Sequence, residues 1–445
     1  MFGYYFQLAI RSLRRNVVLT ALMIAAVGVG IGAAMTMLTT LRAMSGDPIP
    51  DKSSQLFVPQ IDVWGPDSRR GASGTSNDRL PDQMTYRDAM ELMRAHKALH
   101  QTAMYSVGMD VDPGTGRPFQ ASGRAAYADF FTLFEVPFRE GAPWSAADDA
   151  GHTDVVVLSA RLADRLFPSA TAVGRTVSMD GHEYRVVGVL QPWSPVPRFY
   201  DTNTGGGGFA NTEDFFLPFT TAIDRQLDTQ GNLNCTALPP AGWDGLLASE
   251  CIWLQFWVEL PTAAAVRDYR AFLHNYAAEQ RQQGRFHWPP RVELHDVNDW
   301  MVQEGVVPEQ VRVNTLIGLG FLVVCLINAI GLMLAKFGSR AAELGVRRAL
   351  GGSRRDIFLQ CLVETAVVGL VGGLLGLALT ATGLAVDRAL LAPGAKNVTL
   401  DALTHIDGGM LAIILVVAVA ATVCAGLYPT WRASRVQPAW QLKAQ

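Results

Sequence analysis

The sequence predicts a membrane protein: four transmembrane α-helices, with a large α+β domain inserted between the first and the second. Three observations predict this. Four almost uncharged runs, at 16–41, 313–335, 357–386 and 408–431, each reach the roughly 20 residues that a bilayer crossing needs. The segment between the first two, 42–312, alternates short β-rich runs with amphipathic stretches. At 49% hydrophobic and 17% charged, the 445-residue chain is too apolar for an ordinary soluble protein and too polar for one wholly in lipid. A net charge of −3 offers no basic excess for nucleic acid as the main partner.

Residues 1–15 read as an amphipathic helix on the inner membrane face. Tyr5, Leu8, Ile10 and Leu13 fall on one side, and Arg11, Arg14 and Arg15 near the other. The first apolar run is longer than the 7–15 or so residues of a signal peptide's core, so it reads as a retained anchor. Lys and Arg set the orientation. Arg11, Arg14 and Arg15 precede span one, six cations from Lys336 to Arg355 lie in the 336–356 connection, and Arg432, Arg435 and Lys443 fall in the 432–445 tail. The short 387–407 loop has only Arg388 and Lys396, offset by three aspartates. The positive-inside rule therefore puts both termini and the 336–356 connection in the cytoplasm, and 42–312 outside.

The external segment begins with a Ser-, Gly- and Pro-rich stretch, 51–79, read as loop. Met84, Ala89, Met90, Leu92 and Met93 then recur at helical spacing. "VVVLSARLADRLFP" gives a strand followed by a helix capped by Ser159, and "GRTVSMDGHEYRVVGVL" gives a hairpin turning at Asp180-Gly181. "TNTGGGGFANTED" reads as a flexible loop, "CIWLQFWVEL" as a strand, and Pro261 as the start of a further helix. The Gly-rich loop and two cysteines suggest an inserted subdomain at about 201–251. Cys325, Cys361 and Cys424 fall in spans, whereas Cys235 and Cys251 are external, where an oxidising compartment makes a disulfide the simplest reading.

The connection between spans two and three carries its own start and stop signals. Ser339 can cap a helix running to Leu350, and Gly351-Gly352 can end it. Glu343 stands four residues before Arg347, and Ser353 with Asp356 makes a capping box for the next helix. So stiff an element suits the transmission of force from something cytoplasmic; a topology signal with lipid-headgroup contact is the alternative. Glu364 lies about two turns inside span three, where a carboxylate is costly, and reads as snorkelling to an arginine of the preceding connection. A proton- or substrate-coupling role is its alternative. Gly369/Gly373, Gly372/Gly376 and Gly28/Gly32 are small-xxx-small pairs for helix packing, within one chain or between subunits. No GxxxxGK[ST], HExxH or GxSxG occurs, so no nucleotide, catalytic or cofactor site is expected in the chain. His96 and His100 share a helical spacing without a third metal ligand, and Asp110 and Asp112 read as solvated strand residues.

Three stretches carry a resemblance. "FQLAIRSLRRNVVLTALMIAAVGVGIG", "ELGVRRALGGSRRDIFLQCLVETAVVGLVGGLLG" and "YPTWRASRVQPAWQLK" are similar to the first span, the coupling region with span three, and the closing segment of the MacB-like (FtsX-like) permeases of ABC transporters. The external "VVVLSARLADRLFP…AVGRTVSMDGHEYRVVGVL" resembles that family's periplasmic core domain. The resemblance implies a bacterial inner-membrane permease that pairs with a second, like or unlike, copy on a cytoplasmic ABC ATPase dimer. ATP and Mg would be bound by the ATPase. Arg340, Glu343, Leu344, Arg347, Arg348, Leu350, Gly351 and Arg354 would be the contacts to it. A periplasmic adaptor and a TolC-like outer-membrane channel are the partners of the relatives that perform efflux. The best-known relatives carry the ATPase fused at their N-terminus; with no P-loop here, a separate ATPase chain is expected. An FtsX-like regulator of a cell-wall hydrolase and a Lol-like extractor of lipoproteins are the competing readings, and the 201–251 insert leaves cargo and adaptor contact open.

Overall fold

The computed structural model describes residues 7–8, 11–13, 15–66, 79–114, 116–168, 170–204, 207–351, 353–391 and 408–435. The expected helix 1–15 is therefore described only in part: its Tyr5, Ile10 and Arg14 lie outside the described residues, as do 392–407, most of the short loop, and 436–445 of the tail. The chain divides into two units, one of residues 1–45 with 307–445 and the other of 46–306.

Among the described residues, the first unit holds four helices long and apolar enough to cross a membrane: span one (Val17–Met44), span two (Glu309–Ser339), span three (Arg354–Leu391) and span four (Gly408–Ser434). Each outruns its apolar stretch because helical hydrogen bonding continues into the polar flanks. Span three packs between spans one and four. A Cβ added at Gly372 or Gly376 would come within 2.8 Å of Val27 or Ile31 of span one, and one at Gly369 or Gly373 within 2.8 Å of Thr422 or Ala418 of span four. The two glycine pairs thus serve two different neighbours, because residues four apart share one helix face whereas adjacent residues such as Gly372 and Gly373 point about 100° apart. Met23, Val27, Ile31 and Ala34 join Ala329, Met333, Cys361 and Val368 in the core of this unit. Thr36, Thr39, Thr365 and Thr422 return their hydroxyls to the carbonyl one turn back, so no threonine hydroxyl of these four is left bare among apolar neighbours.

The second unit is α+β. Its strands are β1 (Leu56–Ile61), β2 (Met84–Thr85), β3 (Gln101–Asp112), β4 (Phe119–Ala126), β5 (Phe138–Gly141), β6 (Val155–Leu158), β7 (Thr176–Met179), β8 (His182–Leu190), β9 (Phe215–Pro218), β10 (Ile252–Glu259) and β11 (Val292–Asp296). Its helices are α1 (Tyr86–Ala95), α2 (Asp129–Leu133), α3 (Ala146–Ala150), α4 (Ala160–Leu166), α5 (Phe219–Asp224), α6 (Trp243–Ala248), α7 (Ala263–Gln282) and α8 (Val297–Gln303). The strands order as β11-β1-β10-β3-β4-β9-β6-β8-β5, with β4–β9 and β6–β8 parallel. Strand β7 pairs with both β8 and β3, so β3, β4, β9, β6, β8 and β7 return on themselves as a ring. Alternate residues of those strands, among them Tyr105, Val107, Met109, Ala125, Val156, Val186 and Phe215, fill one core. Gly123 is required there, since a Cβ would lie 2.2 Å from the Phe215 ring of the neighbouring strand. The residues of opposite parity, such as Met104, Val157 and Phe216, face a second core built on Phe130, Phe134, Tyr200 and Trp257.

Several expectations hold in detail. Ser159 caps α4 through Leu162 N, and Asp180-Gly181, both with positive φ, turn the β7–β8 hairpin. Others are corrected. The 51–79 stretch contains strand β1, paired on both sides, because its alternation is short and is broken by Pro59. Helix α7 is capped by Thr262, whose hydroxyl accepts from Ala265 N, rather than opened by Pro261. Residues 201–251 are not a separate subdomain: they supply β9 to the middle of the sheet and Asp201 and Glu213 to a buried ion cluster. Arg124 of β4 meets both carboxylates, with Arg198 and the Tyr200 hydroxyl beside them. Burial raises both carboxyls, but Arg124 and Arg198 outweigh it and hold them below the ordinary range. The segment around the glycines, read as flexible, is thereby pinned at both its ends.

Candidate coupling site

The interspan helix (Ala341–Ala349) follows span two with Arg340 as the single intervening residue. Ser339 does not cap it, because its hydroxyl donates back to the Lys336 carbonyl. Gly351, at φ +100°, ends it as expected. Ser353 and Asp356 then make the capping box that opens span three.

Under this helix lies a polar cluster closed to solvent. Glu364 of span three sits 2.5 Å from Lys336 Nζ and 3.3 Å from Arg340 Nη1, and accepts from the Ser12 hydroxyl at 2.6 Å. Arg340 also donates to Ser12 Oγ, and Lys336 to Thr20 Oγ1 of span one at 3.2 Å. Arg340 turns its other nitrogens to Glu343, which further receives Arg15 at 3.1 Å and Arg347 at 3.2 Å; Arg347 continues to Gln360 of span three. Burial raises the Glu343 carboxyl, but Arg340, Arg347 and Arg15 together bring it below its usual value. Arg340 is thus shared between a carboxylate of the interspan helix and one inside span three. A displacement of the helix must move or break those contacts.

The model of the MacB-like periplasmic core domain matches residues 20–271, more than half of the chain, and that of the FtsX-like permease C-terminal region matches 315–438. The chain belongs to the MacB-like permease family. It is an ABC transporter permease with transmembrane helices and a periplasmic-type α+β domain between the first two. The macrolide export ATP-binding/permease protein MacB of Azoarcus sp. (strain BH72) is 24% identical over 382 residues, covering 83% of this chain and 50% of that protein. The pyoverdine export ATP-binding/permease protein PvdT of Pseudomonas syringae pv. tomato is 25% identical over 321 residues, covering 71% and 42%. The chain spans about half the length of the curated relatives it matches, or less. Among solved structures, the periplasmic region of MacB from Actinobacillus actinomycetemcomitans is similar with a TM-score of 0.36 at 13% identity, over 58% of this chain and 96% of that one.

In this MacB-like permease, seven of the eight residues expected at an ATPase contact fall into two groups. Arg340, Glu343 and Arg347 are engaged with the bundle as described, and Leu344 is buried in its core at 2% exposure. Leu344 is therefore an anchor of the helix rather than a contact, because the helix needs one apolar face against the spans. Leu350, 83% exposed, and Gly351 and Arg354 lie on the open side with Val346, which sequence reading passed over. Arg348 is half-buried. Glu364 does reach an arginine, Arg340, but its closer cation is Lys336, and Ser12 and Thr20 complete the site. The available signal was Lys336 standing one helical turn before Arg340. Gly28 and Gly32 face Leu375 and Leu379 of span three, so every glycine singled out has an intrachain neighbour. Cys235 and Cys251 form a disulfide. His96 and His100 are not on one helix: His96 ends α1 in a left-handed conformation and His100 precedes β3. No cluster of three metal-ligating side chains occurs among the described residues.

Proposed function

We propose that this chain is the permease subunit of an exporter in the bacterial inner membrane. On this reading both termini and the interspan helix are cytoplasmic, and a separate ABC ATPase dimer docks on Val346, Leu350, Gly351 and Arg354, with Arg347 and Arg348 at the rim. ATP-driven closure of the ATPases displaces the interspan helix, and the permease, paired with a second copy or an unlike permease, passes the movement to its periplasmic domain. Cargo then leaves from the periplasm through an adaptor and an outer-membrane channel.

The observation that carries this reading is Arg340, which ties Glu343 of the interspan helix to Glu364 of span three. A helix attached to two spans through a buried cluster moves them with it, whereas a mere topology signal needs no such attachment. The names of relatives, for macrolide and pyoverdine export, support export as the class of task. The test is co-purification with ATP-binding subunits of the host. The wild-type chain is expected to hydrolyse no ATP alone and to retain an ATPase dimer. Replacing Arg347, Arg348 and Leu350 together is expected to release the dimer while leaving membrane insertion intact. ATP turnover by the isolated chain, or retention of the ATPase by the triple variant, would sink the proposal. Co-purification with a cell-wall hydrolase would favour a regulator, and bound lipoprotein would favour lipoprotein extraction.

A further inference from the structure

The end of span four carries an exposed stripe that neither coupling nor span packing uses. Thr430, Ala433 and Ser434 are buried in the bundle, whereas Leu427, Tyr428 and Trp431 are 45%, 53% and 46% exposed. Arg432 and Arg435 are exposed beside them. The grouping follows from helical spacing, since residues three and four apart share a face. The groups are also stacked. The Tyr428 and Trp431 ring centroids lie 6.5 Å apart at 30°, and the Arg435 guanidinium stands 4.0 Å from the Trp431 ring centroid. Stacking occupies the flat face of the guanidinium and leaves its N–H edge open.

No carboxylate answers these cations. Span four contains no Asp or Glu, and among the described residues neither Arg432 nor Arg435 has an ion pair or a side-chain hydrogen bond. Arg340 and Arg347 of the same unit are both paired with Glu343. The span also sets the depth of the stripe. Its apolar window, Leu415–Ser434, is 20 residues long, which matches a hydrocarbon core of about 30 Å. Tyr428 and Trp431 therefore fall in the last turns, where such rings meet the membrane–water boundary, and Arg432 and Arg435 reach the headgroups.

We propose that this stripe is a docking surface for an anionic phospholipid, with Arg432 and Arg435 on the headgroup phosphate and Leu427, Tyr428 and Trp431 along an acyl chain. Charge complementarity selects this occupant. Two uncompensated guanidinium groups meet a phosphodiester whose headgroup brings no cation of its own. A zwitterionic lipid offers the same phosphate with an ammonium beside it and gains less. Setting topology takes the charges alone, whereas the stack on Trp431 orients a guanidinium edge. The inference rests on span four crossing a bilayer and needs no ATPase.

Trp431 is the single tryptophan within the four spans, so its fluorescence reports the site. The experiment is fluorescence quenching of the purified full chain in phosphatidylcholine bilayers with rising fractions of phosphatidylglycerol, one lipid or the other brominated on its acyl chains. The Trp431 signal is the difference between wild type and Trp431→Phe. Phosphatidylglycerol is expected to be favoured about twentyfold at low ionic strength. Arg432→Gln and Arg435→Gln are each expected to lower that preference about fivefold, the scale of one basic residue at an anionic surface. The double variant is expected to show none, at unchanged Tm. Arg42→Gln, in the last turn of span one, is the control and is expected to keep the preference. Inorganic phosphate, added at equal ionic strength, is expected not to displace the lipid. Equal quenching by the two brominated lipids in wild type, an unaltered preference in the double variant, or displacement by inorganic phosphate each overturns the proposal. A changed oligomeric state of the double variant with its lipid preference intact would assign the stripe to a second copy of the chain instead.

Discussion

Lys336 Nζ lies 2.5 Å from Glu364 Oε1, and both side chains are all but withdrawn from solvent, at 1% and 2% exposure. Their residues belong to different spans, and neither has water to fall back on. Breaking a buried pair leaves the surviving charge uncompensated, at a cost of about 3–5 kcal/mol. The two members are not equivalent, because Glu364 has a second cation in Arg340, whereas among the described residues Lys336 pairs with no second carboxylate. Glu364→Gln, which leaves two cations facing one another, is expected to lower Tm more than Lys336→Met. Thermal unfolding of the two purified variants in detergent tests the order, and the reverse order would refute it.

Span packing makes a separate prediction. A Cβ at Gly376 would stand 2.8 Å from Ile31, whereas one at Gly331 of span two meets nothing within 4 Å. Gly376→Ala is expected to destabilise by about 1–3 kcal/mol, the usual cost of overpacking. Gly331→Ala is expected to be neutral or slightly stabilising. Equal Tm values for the two variants would remove the packing argument.

Gly123 tests the strand ring. Its added methyl would enter the Phe215 ring, in a core with no slack on that side. Gly123→Ala is expected to cost at least about 1–3 kcal/mol, and Phe215→Leu introduced with it should recover part of the loss. Additive effects in the double variant would show that the two residues do not meet.

A pH effect follows from Asp149. Its carboxyl is raised to about 7 in the folded chain, from the ordinary value of 3.8, chiefly by burial. Between those values the folded state keeps a proton that the unfolded state has lost. The stabilisation is complete below pH 4 or so and is lost as pH rises through about 7. From pH 5 to 8, wild-type Tm should therefore fall relative to that of Asp149→Asn. Parallel curves would dismiss the shift.

The disulfide is checked by mass mapping. Non-reducing digestion should yield Cys235 joined to Cys251, and reduction should cost about 3 kcal/mol for a loop of this length on the chain-entropy model. Two alkylatable thiols at these positions would contradict the pairing.

The spans were legible because length and absence of charge are local properties that few structures other than a bilayer crossing need. The β7–β8 hairpin and the caps at Ser159 and Ser353 were legible for a similar reason: turn and cap chemistry acts within four residues. Thr262 was missed because Pro261 beside it is an equally good opening signal. Strand β1 was missed because it is too short to show its period amid loop-like composition. The coupling residues were half legible. Glu343 with Arg347 is an i,i+4 pair readable from spacing, whereas the inward turn of Leu344 and the arrival of Ser12 and Lys336 at Glu364 depend on which helix faces meet.

By itself the sequence determined the number and extent of the apolar helices, the place of the large domain between the first two, and the stiff basic helix after the second. Those follow from composition and from interactions within one or two helical turns. Only the tertiary structure decided that β7 closes a ring onto β3, that residues 201–251 belong to the central sheet, and that Lys336 and Arg340 share Glu364. The physical reason is range: these contacts join residues 24 to 92 positions apart or close a sheet, and their energy depends on burial that no local pattern encodes.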